Sequence, residues 1–147
     1  MPVCGLSHVG FNVPRGLFDR ECDFWENVIG LQRVHGQEGR NVFFTADRLR
    51  DHEFILFCSD ADITAAGSSG CIVNHVAFDV PTAAEVEELA SRCRDYGLSV
   101  EAHMQGRPRM RVISPAGIEF EINTPPHAHI HGYEHRTDLR QTAEARA

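Results

Sequence analysis

An octapeptide occurs twice in this chain, and the repeat constrains the fold more than any other feature. SHVGFNVP begins at residue 7 and NHVAFDVP begins at residue 74, each with histidine in second place. A Gly-Leu pair follows each histidine by 22 and 23 residues, as Gly30-Leu31 and Gly97-Leu98. Self-similarity at a fixed period indicates a duplicated supersecondary unit. We therefore predict two modules, about residues 3–60 and 70–124, joined by a linker over 61–70.

Each module is predicted to begin with a strand that has one apolar face. Residues 9, 11 and 13 are Val, Phe and Val, and they alternate with His8, Gly10 and Asn12. The second copy repeats this alternation from His75 to Val80. Because successive side chains of a strand point to opposite faces, each histidine lies opposite the large apolar residues. A small residue two positions after each histidine leaves that face open.

A helix is predicted after each of these strands. Thr82 and Glu85 form a capping-box pattern at the start of the second helix. Gly30 and Gly97 are predicted to follow the ends of the two helices, where a left-handed backbone conformation favours glycine. Three more strands complete each module, at about 31–37, 41–47 and 53–59 and at about 98–104, 108–114 and 118–123. The predicted fold is α+β: two repeated β-α-β-β-β modules form one cupped mixed β-sheet with the helices outside. The two first strands are expected to be neighbours, which brings His8 and His75 to a shared site.

Composition limits the classes of function. The net charge of −7 argues against nonspecific nucleic-acid binding, which needs a cationic surface. The apolar runs are too short to span a membrane, and we expect no signal peptide. Five cysteines with irregular spacing and no C-x-x-C pair indicate free thiols in a reducing compartment, so we expect a cytoplasmic protein.

The last predicted strand adds carboxylates to the two histidines. Phe120 and Ile122 alternate there with Glu119, Glu121 and Asn123. Two imidazoles and one carboxylate form the facial triad that suits non-haem Fe(II) and leaves positions open for substrate and oxygen. The alternative is that the histidines are satisfied by backbone hydrogen bonds and that the acidic face is solvated.

These motifs resemble the vicinal oxygen chelate superfamily, which includes glyoxalase I, bleomycin-resistance proteins and type I extradiol dioxygenases. The resemblance covers about residues 5–124, so residues 1–124 are assigned to one such domain and 125–147 to a His-rich tail. The family's two metal-ligating histidines match His8 and His75. Its closing motif resembles S-P-A-G-I-E-F-E, residues 114–121, which implies that Glu121 is the carboxylate ligand. The resemblance also implies a homodimer.

A further stretch bears on the reaction. Residues 50–56, R-D-H-E-F-I-L, resemble an extradiol motif whose second histidine is the acid/base residue beside bound oxygen. That match implies that His52 is catalytic and that the protein uses Fe(II) and O2 to cleave a catechol. The alternative is a glyoxalase- or epimerase-type enzyme that uses Mn, Ni, Co or Zn with Glu53 as an extra ligand. Because neighbouring strand residues point to opposite faces, only one of the two is expected to face the metal. The remaining alternative is a metal-free drug-sequestering protein.

Substrate-binding residues are predicted near the closing turn and in the tail. Extradiol enzymes usually carry a tyrosine where this chain has Arg111. If Arg111 faces inward with Arg107 and Arg109, the substrate is an anionic aromatic compound, such as a catechol with an acidic or amino-acid side chain. His103 is a second candidate. The tail, which holds four of the nine histidines in residues 125–135, is either solvated or folds over the cup and brings Tyr133 to the substrate.

Overall fold

The chain carries two copies of one β-α-β-β-β arrangement, as the repeat predicts. The computed structural model describes residues 7–46, 51–61, 75–105 and 108–124. The elements of the first module are β1 (Val9–Pro14), α1 (Arg15–Asp23), β2 (Gln32–Gln37), β3 (Asn41–Thr45) and β4 (Phe54–Ser59). Those of the second are β5 (Val76–Asp79), α2 (Ala83–Asp95), β6 (Val100–His103), β7 (Arg109–Ile113) and β8 (Glu119–Asn123). The linker and the tail lie outside the described residues.

Each module forms a four-stranded mixed sheet. The strand order is β1-β4-β3-β2 in the first and β5-β8-β7-β6 in the second. The first and last strands of each module pair in parallel, while β2 with β3, β3 with β4 and β6 with β7 pair antiparallel. The predicted α+β class and the predicted module are therefore confirmed.

The chain divides into two compact units that correspond closely to the modules. The first unit contains the first module together with Ile113–Glu119, which includes the turn between β7 and β8. The second contains the rest of the second module, which among the described residues runs from His75 to Val112 and from Phe120 to Thr124. No helix in the described ranges is long and apolar enough to cross a membrane.

The core of the first unit packs helix α1 and the segment after it against the sheet. Phe24–Ile29 continues α1 as a π-helical segment and ends at Gly30, whose φ is 89°. Trp25 is fully buried, and its ring centroid lies 4.4 Å from that of Phe54 on β4. Burial of such large aromatic side chains supplies much of the stabilisation in a small core.

A buried carboxyl group belongs to this core. Glu21 on α1 has no exposed surface, and it accepts hydrogen bonds from Trp25 Nε1 and from the backbone N–H of Ala116, each at 2.7 Å. The second bond ties α1 to the turn before β8. Burial penalises the ionised form and raises the pKa of Glu21, although the donors around it act in the opposite direction.

In the second unit, helix α2 carries the predicted caps. The Thr82 hydroxyl accepts from the Glu85 N–H, and the Glu85 carboxylate accepts from the Thr82 N–H at 2.9 Å, which completes the capping box. Gly97, with φ 93°, follows the last turn. The buried stripe of α2 includes Cys93, a free thiol like buried Cys22 of the first unit. Burial raises the pKa of both thiols to about 11. Cys4 and Cys71 lie outside the described residues.

Candidate functional site

In the first unit, His8 immediately precedes β1 and lies beside a second histidine. The ring centroids of His8 and His52 are 5.0 Å apart. Ser7 Oγ lies 3.2 Å from Nδ1 of His8. A metal ion would therefore bind through the other ring nitrogen, Nε2. Gly10, two residues further on, faces the ring of Phe57, and a Cβ atom there would lie 2.9 Å from that ring. The small residue on the histidine face therefore accommodates an aromatic side chain.

His52 belongs to a group of three polar side chains with Asp51 at its centre. Its Nδ1 lies 2.7 Å from Oδ2 of Asp51, and Nε2 of His35 lies 3.4 Å from the same oxygen. The hydrogen bonds from His52 and His35 lower the pKa of Asp51. Asp51 is therefore a carboxylate near neutral pH. Sequence reasoning singled out His52 but missed His35 and Asp51, because nothing in the local pattern indicates that β2 brings His35 to this point.

Glu53, the alternative to His52, is held by a backbone group. One of its carboxylate oxygens accepts from the Ala46 N–H at 3.1 Å. Strand β4 begins only at Phe54, so His52 and Glu53 both precede the regular strand. The Val9 N–H donates to the Glu53 carbonyl at 2.9 Å, and the Glu53 N–H donates to the Phe44 carbonyl at 3.0 Å. The backbone of Glu53 therefore lies beside the start of β1, next to His8. That only one of His52 and Glu53 faces a metal stays a prediction.

In the second unit, the other two predicted metal ligands lie next to each other. Nε2 of His75 is 3.8 Å from Oε2 of Glu121. The second carboxylate oxygen of Glu121 accepts from Arg111 twice, from Nε at 3.1 Å and from Nη2 at 2.7 Å. Arg111, and to a smaller extent His75, lower the pKa of Glu121. Arg111, predicted as a substrate-binding residue, is therefore an ion-pair partner of Glu121.

A pocket of about 410 Å³ adjoins Glu121 in the second unit. Its lining is polar and consists of His103, Gln105, Arg109, Glu121 and Asn123. Nε2 of His103 lies 3.0 Å from Oε1 of Glu101, whose pKa this contact lowers. His103 and Arg109 are register partners on β6 and β7 and so share one face of the sheet. Arg107, Tyr133 and the histidines of the tail lie outside the described residues.

The donors in the second unit fit a divalent cation. Two ligands held at about 2.1 Å from one ion lie about 3.0–3.5 Å apart. The separation of 3.8 Å between the His75 and Glu121 donor atoms is slightly longer and needs only a small side-chain movement. Because Arg111 occupies Oε1, Glu121 presents its other oxygen toward His75. An imidazole nitrogen and one carboxylate oxygen are ligands typical of Mn, Fe, Ni, Co and Zn.

Solved structures with the same fold include a lactoylglutathione lyase and a fosfomycin resistance protein. Lactoylglutathione lyase from Agrobacterium tumefaciens is 22% identical, with a TM-score of 0.62 over 84% of this chain and 96% of that one. The fosfomycin resistance protein FosX from Listeria monocytogenes is 18% identical, with a TM-score of 0.66 over 86% and 97%. A glutamine mutant of that protein, in complex with Mn(II) and 1S,2S-dihydroxypropylphosphonic acid, is 16% identical with a TM-score of 0.65 over 86% and 96%.

At the level of the fold, these comparisons confirm the predicted resemblance, because the chain has the fold of a lactoylglutathione lyase and of FosX. At the level of sequence, neither a family model nor a curated protein matches the chain.

Proposed function

We propose that this protein is a divalent-metal-dependent enzyme whose metal ligands are His8, His75 and Glu121. The observation that carries the proposal is the pairing of His75 with one oxygen of Glu121 while Arg111 holds the other. Added support comes from the repeat, in which His8 and His75 occupy equivalent positions. The Mn(II) complex of the Listeria protein, which has the same fold, also supports it.

When bound, the metal supplies Lewis acidity, which polarises a substrate oxygen and favours loss of a proton nearby. The role of Arg111 is to keep Glu121 ionised and to orient its other oxygen toward His75. Arg111 needs little rearrangement for this role, because its Nε and Nη2 groups already donate to Oε1 of Glu121.

His52 is the proposed acid/base residue. With Asp51 ionised, the hydrogen of neutral His52 resides on Nδ1, which donates to Asp51 at 2.7 Å. Nε2 then has a free lone pair and can accept a proton from substrate. The contact between the rings of His52 and His8 places this base beside a proposed metal ligand. A carboxylate that fixes the tautomer of a catalytic histidine is a common device in proton transfer.

Arg109, rather than Arg111, is the proposed residue for an anionic substrate group. It lines the same pocket as Glu121, whereas Arg111 is engaged with the Glu121 carboxylate. A guanidinium group at a polar pocket wall recognises a carboxylate or a phosphonate by paired hydrogen bonds. The substrate is therefore proposed to be a small anion with an oxygen atom that can reach the metal.

The first candidate reaction is of the glyoxalase or epimerase type, in which a proton is moved on a small oxygenated substrate. The position of Glu53 favours it, because its backbone carbonyl accepts from the N–H of Val9, the residue next to His8, at 2.9 Å. Glu53 can then act as a fourth ligand or as a second base, with Mn, Ni, Co or Zn as the metal. The solved structures of the same fold include a lactoylglutathione lyase.

The second candidate is Fe(II)-dependent extradiol cleavage of a catechol by O2. The specific observation in its favour is His52, which lies 5.0 Å from His8 and is held by Asp51. Here Arg109 would recognise an acidic side chain on the ring. Extradiol enzymes use a histidine in this role, as the sequence motif at residues 50–56 implies.

Metal binding is the first test of the proposal. Metal-free protein should bind Mn(II) with an affinity that falls by at least about 10–100-fold in His75→Ala and in Glu121→Gln. His103→Ala, which removes an exposed histidine of the same unit, is the matched control and should bind Mn(II) like the wild type. Unchanged affinity in all three ligand variants, His8→Ala included, would refute the triad.

The two reactions are separated by one pair of variants. In the extradiol enzyme, His52→Phe should lose about 10²–10⁴-fold in turnover of a catechol and Glu53→Gln should be mild. In the glyoxalase-type enzyme, Glu53→Gln should lose metal affinity and activity together, measured on Mn- or Ni-loaded protein with 2-oxoaldehyde thiol adducts. Wild-type behaviour of both variants would contradict both reactions while leaving the metal triad standing.

A further inference from the structure

Three potential metal ligands converge in the first unit at a place that the proposed triad does not use. The donor atoms of His35, Asp51 and His52 all lie within 4.8 Å of one another. His35 comes from β2, whereas Asp51 and His52 precede β4, so tertiary structure rather than a local motif brings them together. We propose that this trio, the HDH cluster, is a second divalent-cation site with a preference for Zn²⁺.

The chemistry of the donors supports a cation rather than a simple hydrogen-bonded group. Nδ1 of His52 and Nε2 of His35 both point at one oxygen, Oδ2 of Asp51. That oxygen belongs to an exposed aspartate carboxylate that lies within reach of both imidazoles. Two imidazoles and a carboxylate are a common zinc donor set, with a fourth position left for water. The separation of 3.4 Å between the His35 and Asp51 atoms equals that of two ligands about a tetrahedral ion. The 2.7 Å between the His52 and Asp51 atoms is that of a hydrogen bond, and it lengthens by a few tenths of an ångström when an ion replaces the hydrogen.

Aromatic packing holds the two imidazoles in place. The His35 ring stacks on Phe43 at 4.2 Å and 28°, and the His52 ring meets the edge of Phe43 at 4.8 Å and 83°. The two imidazoles stand perpendicular to each other, with centroids 5.5 Å apart. One phenyl ring therefore supports both, so less side-chain freedom is lost when a cation binds. His35 and Asp51 are exposed, which gives the ion a path from solvent.

Occupancy of the HDH cluster has a consequence for catalysis, and this part rests on the proposed function. A cation on Nδ1 of His52 displaces the hydrogen that Asp51 otherwise accepts. The neutral ring then carries its hydrogen on Nε2, so it can no longer accept a proton there. Zn²⁺ at the HDH cluster should therefore inhibit the enzyme even when the triad is loaded with its own metal.

The binding test uses the full chain with the tail histidines replaced by glutamine, which removes competing ligands at His127, His129, His131 and His135. Metal-free protein is titrated with Zn²⁺ against a chromophoric chelator. The background protein should bind two ions, and His35→Phe and Asp51→Asn should each lose one of them. His35→Phe keeps a ring against Phe43, so folding is preserved.

His103→Phe is the matched control, because His103 is also an exposed histidine paired with a carboxylate, but it has no second imidazole. It should still bind two ions. Two results would overturn the HDH cluster as a site. One is that the His35→Phe variant binds as many Zn²⁺ ions as the tail-substituted protein. The other is that His103→Phe loses a bound Zn²⁺ ion just as His35→Phe does. His75→Ala reports on the triad separately: an ion that survives in His75→Ala and disappears in His35→Phe belongs to the HDH cluster whatever the fate of the proposed function.

Discussion

Replacement of Glu21 is expected to destabilise the first unit strongly. The carboxyl group accepts from the indole of Trp25 and from the backbone of Ala116, and all of Glu21 is buried. Glu21→Ala leaves both donors without an acceptor, and each buried unsatisfied donor costs about 1–3 kcal/mol. The expected loss is therefore about 2–6 kcal/mol, a large part of the stability of a small domain. Glu21→Gln keeps the shape but can satisfy only one donor, so its cost is about half as large.

The pH dependence of that loss follows from the direction of the pKa shift. Burial raises the pKa of Glu21 in the folded state above its usual value of 4.5. The folded state therefore binds the proton more tightly than the unfolded state. The contribution to stability is full below about pH 4.5 and declines as the pH rises through the folded pKa. The advantage of wild type over Glu21→Gln should therefore shrink with rising pH, by at most about 1.4 kcal/mol per pH unit.

Urea unfolding followed by tryptophan fluorescence measures this directly, because Trp25 is the single tryptophan of the chain and contacts Glu21. Glu26→Gln is the matched control: it makes the same substitution next to Trp25, but Glu26 pairs with Arg33 at the surface. The control should change stability by less than about 1 kcal/mol. A difference between wild type and Glu21→Gln that is constant from pH 4.5 to 8 would refute the buried, proton-binding carboxyl, as would a Glu21→Ala protein of wild-type stability.

Two other substitutions test local features. Thr82→Ala removes the hydroxyl of the capping box on α2 and should lower the free energy of unfolding by about 1 kcal/mol in thermal or urea unfolding. A decrease below about 0.3 kcal/mol would mean that the cap contributes nothing. Arg111→Leu should weaken metal binding about 10–100-fold without unfolding the protein, because Oε1 of Glu121 loses its donors. Arg111→Lys should recover only part of the lost metal affinity. Equal affinities in the wild type and both variants would refute the orienting role of Arg111.

The local features of the fold were determined by the sequence alone. The repeated octapeptide predicts two equivalent modules, and the alternation in residues 9–13 predicts which side of β1 is buried. Thr82, Gly30 and Gly97 mark helix ends correctly because caps act on backbone groups within one turn. Such signals depend only on residues a few positions apart, so the chain displays them before any tertiary contact forms.

What the sequence could not decide is which side chains meet across elements. Glu21 and Ala116 are 95 residues apart, and no periodicity links them. Arg111 and Glu121 lie on different strands, and their ion pair is likewise set by the sheet rather than by a local motif. The HDH cluster depends on the pairing of β2 with β3, whose register shifts between Arg33 and His35. Only tertiary structure sets these partners, because a register shift of one residue turns a side chain to the other face of a sheet and leaves the sequence pattern unchanged.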